Sequence, residues 1–516
     1  FVVIHQPSSD IYKMFDTLII LDVGGFQIYY GNPVEAVSYF QDIINAATKT
    51  PGACPECGNI NPEQVFNIIE TRVVNEFGRF TNTRKISPGQ WYQYFKQRIK
   101  ISRIEEVKTP LPVTQRIPGW LQQLMVFTKR DLLSKLANKQ YLVINLSLSP
   151  VLALFMAYFV KYWSITDNGP EDYVFYSNSN IPVYFFMSVV VALFVGLIVS
   201  AEEIFRDRKI RKREAFLHLN NTSYLFSKVI ILFGISAVQT LTFIAVGNLI
   251  LEIPLSEARY WLILFSCACF ANVLGLNISS AFDSAVTIYI LIPVLVIPQL
   301  LMSGVVIPFD KFNPQVGNPV EIPVMGEMIA SRWAYEAFMV TQYKDNPYAK
   351  LFYPIEKDLQ AAQNKKNYFI PPLETKVSDL VRWRSRWRDQ NDERVKSALR
   401  VLRNEVGYEM SVWAPDWLGL TRKYEVGKFD SVALDSTRKF LATLKNMYHR
   451  LSDKATKDKN ALVQSLIEQG IDSAQQETMR LRYTNEAVGD LVRGRERMPR
   501  EVEFEERIYV RYGPIY

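Results

Sequence analysis

Three groups of residues in this chain carry functional side chains at spacings that could do chemistry. The first is His5, within Ile4-His5-Gln6-Pro7-Ser8-Ser9 and followed by Phe15-Asp16. An imidazole at the end of a strand can donate to a phosphate oxygen and orient an attacking water. A lone histidine is more often a packed or surface residue, so the reading depends on the string around it. The second group is Cys54-Pro55-Glu56-Cys57-Gly58, a knuckle shape suited to zinc. Tetrahedral zinc takes four ligands, and no second CxxC or HxxxH accompanies the pair. Zinc completed by ligands from elsewhere, a reduced structural turn and a redox pair all stay open. The third group runs from Glu202-Glu203 through Arg206, Arg208, Lys209, Arg211, Lys212 and Arg213-Glu214 to Tyr224, Ser227 and Lys228. A stretch so charged cannot enter lipid. It can meet a soluble domain through ion pairs, or simply hold a loop on the cytoplasmic side. No GxxxxGK[ST] occurs anywhere, so there is no phosphate-cradling loop, and the chain alone is expected neither to bind nor to hydrolyse ATP.

The elements that must position these groups follow from where the apolar residues lie. The chain has 516 residues, 48% of them hydrophobic, which as an average would suit a soluble protein. The apolar residues are clustered instead. Five runs lack Asp, Glu, Lys and Arg: 141–160, 181–201, 229–251, 260–282 and 284–307. Each approaches or exceeds the roughly 20 residues a bilayer needs. One such run could be a buried core helix, but five in succession argue for a polytopic membrane bundle. The net charge of +7 is modest. The basic residues cluster beside spans, not over a soluble surface, which argues against nucleic acid as a partner.

The basic loop 202–228 is assigned to the cytoplasm, and alternation then places Arg208 inside and Asp345 outside. Residues 308–516 are expected to be extracytoplasmic. They are rich in Arg, Lys, Glu and Trp, with helical periodicity over 377–406, 437–451 and 460–491. They read as a mostly helical soluble domain without a catalytic constellation; charge-rich helices are usually solvated. Residues 120–140 have apolar side chains at helical spacing (Trp120, Leu121, Leu124, Phe127) among Lys and Arg. That pattern suits a helix in the membrane interface or an ordinary amphipathic surface helix. Residues 72–119 read as a linker with an amphipathic helix near 91–101. At the start, strands over 1–5, 18–22 and 27–30 flank Val23-Gly24-Gly25-Phe26, a hairpin signal, and Pro33 opens a helix.

The string around His5, with Phe15-Asp16 and the Gly24-Gly25…Tyr30-Gly31 hairpin, resembles the end of the ATP-binding cassette in G-type (White/pleiotropic drug resistance) ABC transporters. Asn61-Pro62-Glu63-Gln64-Val65-Phe66 is similar to that family's NPADF segment. Glu203, Arg213, Glu214, Tyr224 and Lys228 are similar to its loop facing the cassette. Pro293, Pro298, Ser303-Gly304 and Pro308 resemble its kinked fifth span, and Ala334-Tyr335-Glu336-Ala337 the segment beyond. The resemblance covers residues 1–50 and about 120–340. It implies a fold that is mainly α: an ABC-2 type permease over 141–307, preceded by an elbow helix at 120–140 and an α/β cassette remnant at 1–71.

The resemblance also implies ATP and Mg as cofactors of the full-length protein, with His5 as the switch histidine at the γ-phosphate and the loop residues as the coupling site. The rest of the cassette would precede residue 1. The family has six spans, so a sixth would follow residue 516. The implied partners are a second transporter half, identical or different, the missing cassette portion and the lipid bilayer. The implied location is a plasma or inner membrane, multi-pass. The implied function is part of an ATP-driven exporter of a lipid-like or amphipathic compound. The other reading is a membrane-anchored structural or sensory protein that works through its outer helical domain. Asn145, Gln239, Asn272, Asn277 and Gln299 within the spans could line a substrate path or join helices, the commoner use.

Overall fold

The computed structural model describes residues 2–3, 8–44, 62–101, 118–163, 165–166, 169–170, 172–217, 219–254, 257–494 and 499–511. His5, Cys54 and Cys57 lie outside them. The chain divides into two units, Phe1–Gln115 and Arg116–Tyr516.

In the first unit a short helix α1 (Ser9–Lys13) precedes the antiparallel pair β1 (Leu18–Asp22) and β2 (Phe26–Gly31). Their turn passes through Gly24 and Gly25 at φ of 88° and 76°, where glycine has no Cβ to clash. α2 (Pro33–Ile44) follows, its proline in the first turn, where a missing N–H leaves no intrahelical bond unmade. Then come α3 (Glu63–Ile69), the hairpin β3 (Arg72–Val74) and β4 (Phe80–Arg84), and α4 (Pro88–Arg98). Ile28, Val37, Phe40, Val65 and Trp91 form the core. Ser87 and Gln90 cap α4 reciprocally, and its Trp91 packs edge-on against Phe40 with ring centroids 5.1 Å apart. Arg84 lies 2.8 Å from Asp22 and ties the hairpins together. Residues 72–98, expected as a linker, are therefore a folded part of this unit: the fully buried Trp91 needs the aromatic core around it. The strand expected over 1–5 falls mostly outside the described residues, and Val2 and Val3 form none.

The second unit opens with α5 (Trp120–Ala137) and α6 (Lys139–Val160). A two-residue pair, β5 (Ile165–Thr166) and β6 (Gly169–Pro170), leads to α7 (Ile181–Ala201), α8 (Glu203–Arg213), α9 (Asn221–Leu251), α10 (Glu257–Ala281) and α11 (Ala285–Leu301). Among the described residues four helical segments are long and apolar enough to cross a membrane: Lys139–Val160, Ile181–Arg213, Asn221–Leu251 and Ala258–Ala281. The expected fifth span is α11, whose 17 residues rise only about 26 Å, short of the roughly 30 Å hydrocarbon core. The chain leaves the helix at Met302, and Gly304 turns at φ 77° with the Phe309 ring where its Cβ would be. The apolar run thus outlasts the helix.

α7 is the central helix, 67% buried along its apolar window against 17% for α6. It meets α10 at very short range. A Cβ on Gly196 would lie 2.8 Å from Ala271 Cβ, and one on Gly275 would overlap Ser200 Oγ. Small residues at such crossings let backbones approach and gain van der Waals contact.

The tail comprises α12 (Val324–Glu327), α13 (Ala330–Lys344), α14 (Ala349–Asn364), α15 (Ile370–Arg382), α16 (Glu393–Trp413), α17 (Ser431–Glu468), α18 (Ser473–Tyr483), α19 (Glu486–Arg493) and the hairpin β7 (Glu501–Phe504)–β8 (Arg507–Val510). The described elements of residues 308–511, expected as an outer loop and helical domain, contribute to two cores. Phe338 and Met339 of α13 and Val488 of α19 join the bundle core with Phe185 and Tyr260. Leu373, Leu399, Leu402, Met410, Phe440 and Ile508 form a separate core among α15, α16, α17 and β8. Asn485 Nδ2 donates to Phe175 O at 2.8 Å and Asn178 O at 2.9 Å, pinning the start of α19 to the bundle. The α14–α17 domain is held on both sides by segments docked on the bundle.

Candidate functional site

The charged loop that the sequence singles out becomes α8 and the start of α9. α8 follows α7 with a break at Glu202 and carries Glu203 and Asp207 one turn apart. α9 is capped by Asn220, whose side chain accepts from Thr222 and Ser223 N–H, and carries Tyr224 and Lys228 one turn apart. α5 brings Asp131 and Lys135, also at i and i+4. Residues four apart share a helix face, so each of the three helices presents a pair of polar groups to the others.

These pairs close on Lys228. Its ammonium lies 2.8 Å from Asp131 Oδ1, 3.0 Å from Glu203 Oε2 and 2.9 Å from Asp207 Oδ2. Lys135 donates to the other Glu203 oxygen. Tyr224 OH donates to Asp207 at 3.0 Å, and the Arg211 guanidinium stacks over the Tyr224 ring at 4.3 Å. The Lys228 side chain is 3% exposed and that of Glu203 8%. Burying such charges is tolerable only because every one has a close partner.

Two further sets of contacts extend this ionic knot. Arg130 pairs with Glu214 at 3.0 Å on its outer side. Trp120 Nε1 donates to Thr222 Oγ1 at 2.9 Å, and Asn220 N–H donates to Gln123 Oε1 at 2.8 Å. At the other end of α8, Arg208 pairs with Asp283, and the Ile204 and Phe205 N–H groups both donate to Ser279 Oγ at 3.0 Å. α8 is thereby fastened to α5, α9 and the turn between α10 and α11. A displacement of α8 must move all of them or break buried ion pairs.

Of the expected loop residues, Glu203, Tyr224 and Lys228 meet in one cluster and Glu214 sits at its edge. Arg213 is exposed and forms no ion pair among the described residues. Asp131, Lys135, Asp207 and Gln123 complete the site and were not singled out by the sequence. The i, i+4 spacing of Asp131 and Lys135 in α5 is legible in the sequence, but only as an amphipathic pattern. The other face of α5 exposes Leu121, Met125, Leu132 and Leu136, an apolar stripe that fits a helix at a membrane interface.

Three of the polar residues expected within the spans, Gln239, Asn272 and Gln299, join helices. Gln239 Nε2 donates to Asn145 O at 2.9 Å, Asn272 Nδ2 to Ser236 Oγ at 2.7 Å, and Ser331 N–H to Gln299 Oε1 at 3.1 Å. Asn145 and Asn277 donate to carbonyls of their own helices. Among the described residues no group of three or more His, Cys, Asp or Glu is arranged to hold a metal ion.

Residues 122–343 match the ABC-2 type transporter family, and residues 5–109 match a second family of the same description. The chain is 24% identical over 280 residues to ABC transporter G family member 34 of Oryza sativa subsp. japonica, covering 51% of this chain and 18% of that protein. It is 28% identical over 167 residues to ATP-binding cassette sub-family G member 5 of Homo sapiens, covering 30% and 24%. It is 32% identical over 124 residues to ABC transporter G family member 22 of Arabidopsis thaliana, covering 22% and 16%. The matched stretches span at most 24% of the length of these three relatives. Together with the apolar helices, these likenesses support a G-type ABC transporter permease, and the chain is an integral, multi-pass membrane protein.

Proposed function

We propose that this chain supplies the permease and the switch-histidine end of the cassette in an ATP-driven transporter that exports a lipid-like or amphipathic compound. ATP and Mg would be held largely by cassette segments other than those described, with His5 at the γ-phosphate, and a second transporter half would complete the bundle. The observation that carries the reading is the buried ionic knot of Lys228, Glu203, Asp131, Asp207 and Lys135. A charged helix fastened on several sides is a rigid lever. Motion delivered to α8 at the cytoplasmic face would reach α5 and α9 together and reach α10–α11 through Ser279 and Asp283. Phosphoryl transfer is chiefly positioning and electrostatics, so the transported work must leave the cassette through a mechanical contact of this kind.

The test uses the half-exposed Arg130–Glu214 pair, whose loss should spare folding. In the transporter with its full cassette, reconstituted in proteoliposomes, Glu214→Arg should keep basal ATP hydrolysis and lower movement of a fluorescent lipid. Adding Arg130→Glu should restore movement by re-forming the pair. Full transport in the Glu214→Arg single variant rejects the lever. Zinc at Cys54 and Cys57 remains a separate proposal, tested by metal content of the purified chain before and after Cys54→Ser.

A further inference from the structure

The helical domain contains a cavity that the transport reading does not use. It lies between α14 and α17 beside the end of α16 and measures about 470 Å³, within the usual range of small-molecule sites, about 300–1,000 Å³. α14 leaves it through a π-helical turn at Lys365–Phe369, a distortion that recurs at functional positions. Beneath the wall sits Glu409, 1% exposed. Its carboxylate accepts from Lys365 Nζ at 2.7 Å and from Tyr448 OH at 2.7 Å. Both donors line the cavity, so the buried carboxylate fixes two wall residues and cancels the Lys365 charge.

The remaining charges are unbalanced. Asp358, Lys454 and Asp458 line the opening, and none takes part in an ion pair among the described residues. Two carboxylates face one ammonium, so the opening carries one net negative charge. Trp413 and Tyr448 supply aromatic walls, ring centroids 6.4 Å apart and nearly perpendicular at 82°. Trp413 is 48% exposed, so its ring is open to a ligand. Leu451 and Ala455 give the floor an apolar character. Aromatic faces beside carboxylates attract a weakly hydrated cation. A bare metal ion would want converging oxygen ligands, and no such group is present among the described residues.

We propose that this cavity binds a small organic cation, an ammonium on an apolar or aromatic body, between the rings of Trp413 and Tyr448 and the carboxylates of Asp358 and Asp458. The site is independent of the transport reading and stands or falls without it.

The experiment titrates the full chain in nanodiscs with benzyltrimethylammonium by calorimetry, with empty nanodiscs subtracted. Benzyl alcohol and benzenesulfonate serve as neutral and anionic comparisons. Saturable binding of the cation is expected, at least about tenfold tighter than either comparison. Trp413→Ala should weaken it about tenfold, the double variant Asp358→Asn/Asp458→Asn comparably, and Asp435→Asn, elsewhere on α17, not at all. The Asp-to-Asn double variant keeps side-chain size and so decides the matter if Trp413→Ala does not fold. Absence of saturable binding, equal binding of the cation and benzyl alcohol, or unchanged affinity in the double variant overturns the proposal.

Discussion

Lys228 and Glu203 are 25 residues apart and face each other at 3.0 Å, their side chains almost withdrawn from water. The pair is stable only as a set, because each charge removed leaves another buried without its partner. Lys228→Met should therefore destabilise the bundle by about 3–5 kcal/mol. Removing the opposing charge as well, in Lys228→Met/Glu203→Leu, should recover part of that loss. Thermal unfolding in one detergent, compared across the two variants, reads the difference. A double variant less stable than the single one would mean the knot is held by packing and not by charge.

The crossing of α7 and α10 depends on glycine. Gly196→Val should cost about 1–3 kcal/mol by overpacking, since its side chain must meet Ala271 Cβ and the Ala268 carbonyl. Gly234→Ala on α9 has open space around it and should be neutral or slightly stabilising. Unfolding midpoints of the two variants should move in opposite directions or differ clearly in size.

Arg208 should be cytoplasmic and Asp345 extracytoplasmic, because the basic loop holds its side of the membrane. In a background with the native cysteines replaced by serine, Arg208→Cys and Asp345→Cys are labelled from outside with a membrane-impermeant maleimide. Reaction at position 345 alone is expected. Reaction at both positions, or at 208 alone, rejects the topology.

In the transporter with its complete cassette, His5→Ala should lower ATP turnover by roughly a hundredfold or more, the usual contribution of one general acid–base contact, and leave nucleotide affinity near normal. A group acting on the γ-phosphate in the transition state contributes little to ground-state binding. Turnover and affinity measured on the same preparation decide this; unchanged turnover reduces His5 to a structural residue.

Burial raises the carboxyl of Glu405 above its ordinary range, although it accepts the Ile508 N–H. The folded state then binds the proton more tightly than the unfolded one. The helical domain should lose stability as pH rises from the unfolded carboxylate value to the raised folded one, and change no further from this group above it. Glu405→Gln should flatten that segment of the profile. Hydrogen exchange of α16 between pH 4 and 7, roughly the carboxylate range, tests it; identical slopes in the two proteins would count against the assignment.

The sequence by itself determined what is local or compositional. The apolar runs became four spanning-length segments and the shorter α11. Gly24-Gly25 became a hairpin turn, because tolerance of positive φ is local to glycine, which has no Cβ to clash. The charge of the 202–228 loop marked a place that lipid excludes. Tertiary structure decided which charges meet. Asp131 reaches Lys228 across 97 residues, and nothing in the α5 pattern distinguishes Asp131 and Lys135 from solvated charges on the same helix. It also drew Trp91 into a core where a linker was expected, divided the tail between two cores and left a cavity beside Trp413. Periodicity records which face of a helix is apolar, while the partner of that face depends on how distant segments pack, a choice made by shape and charge in three dimensions.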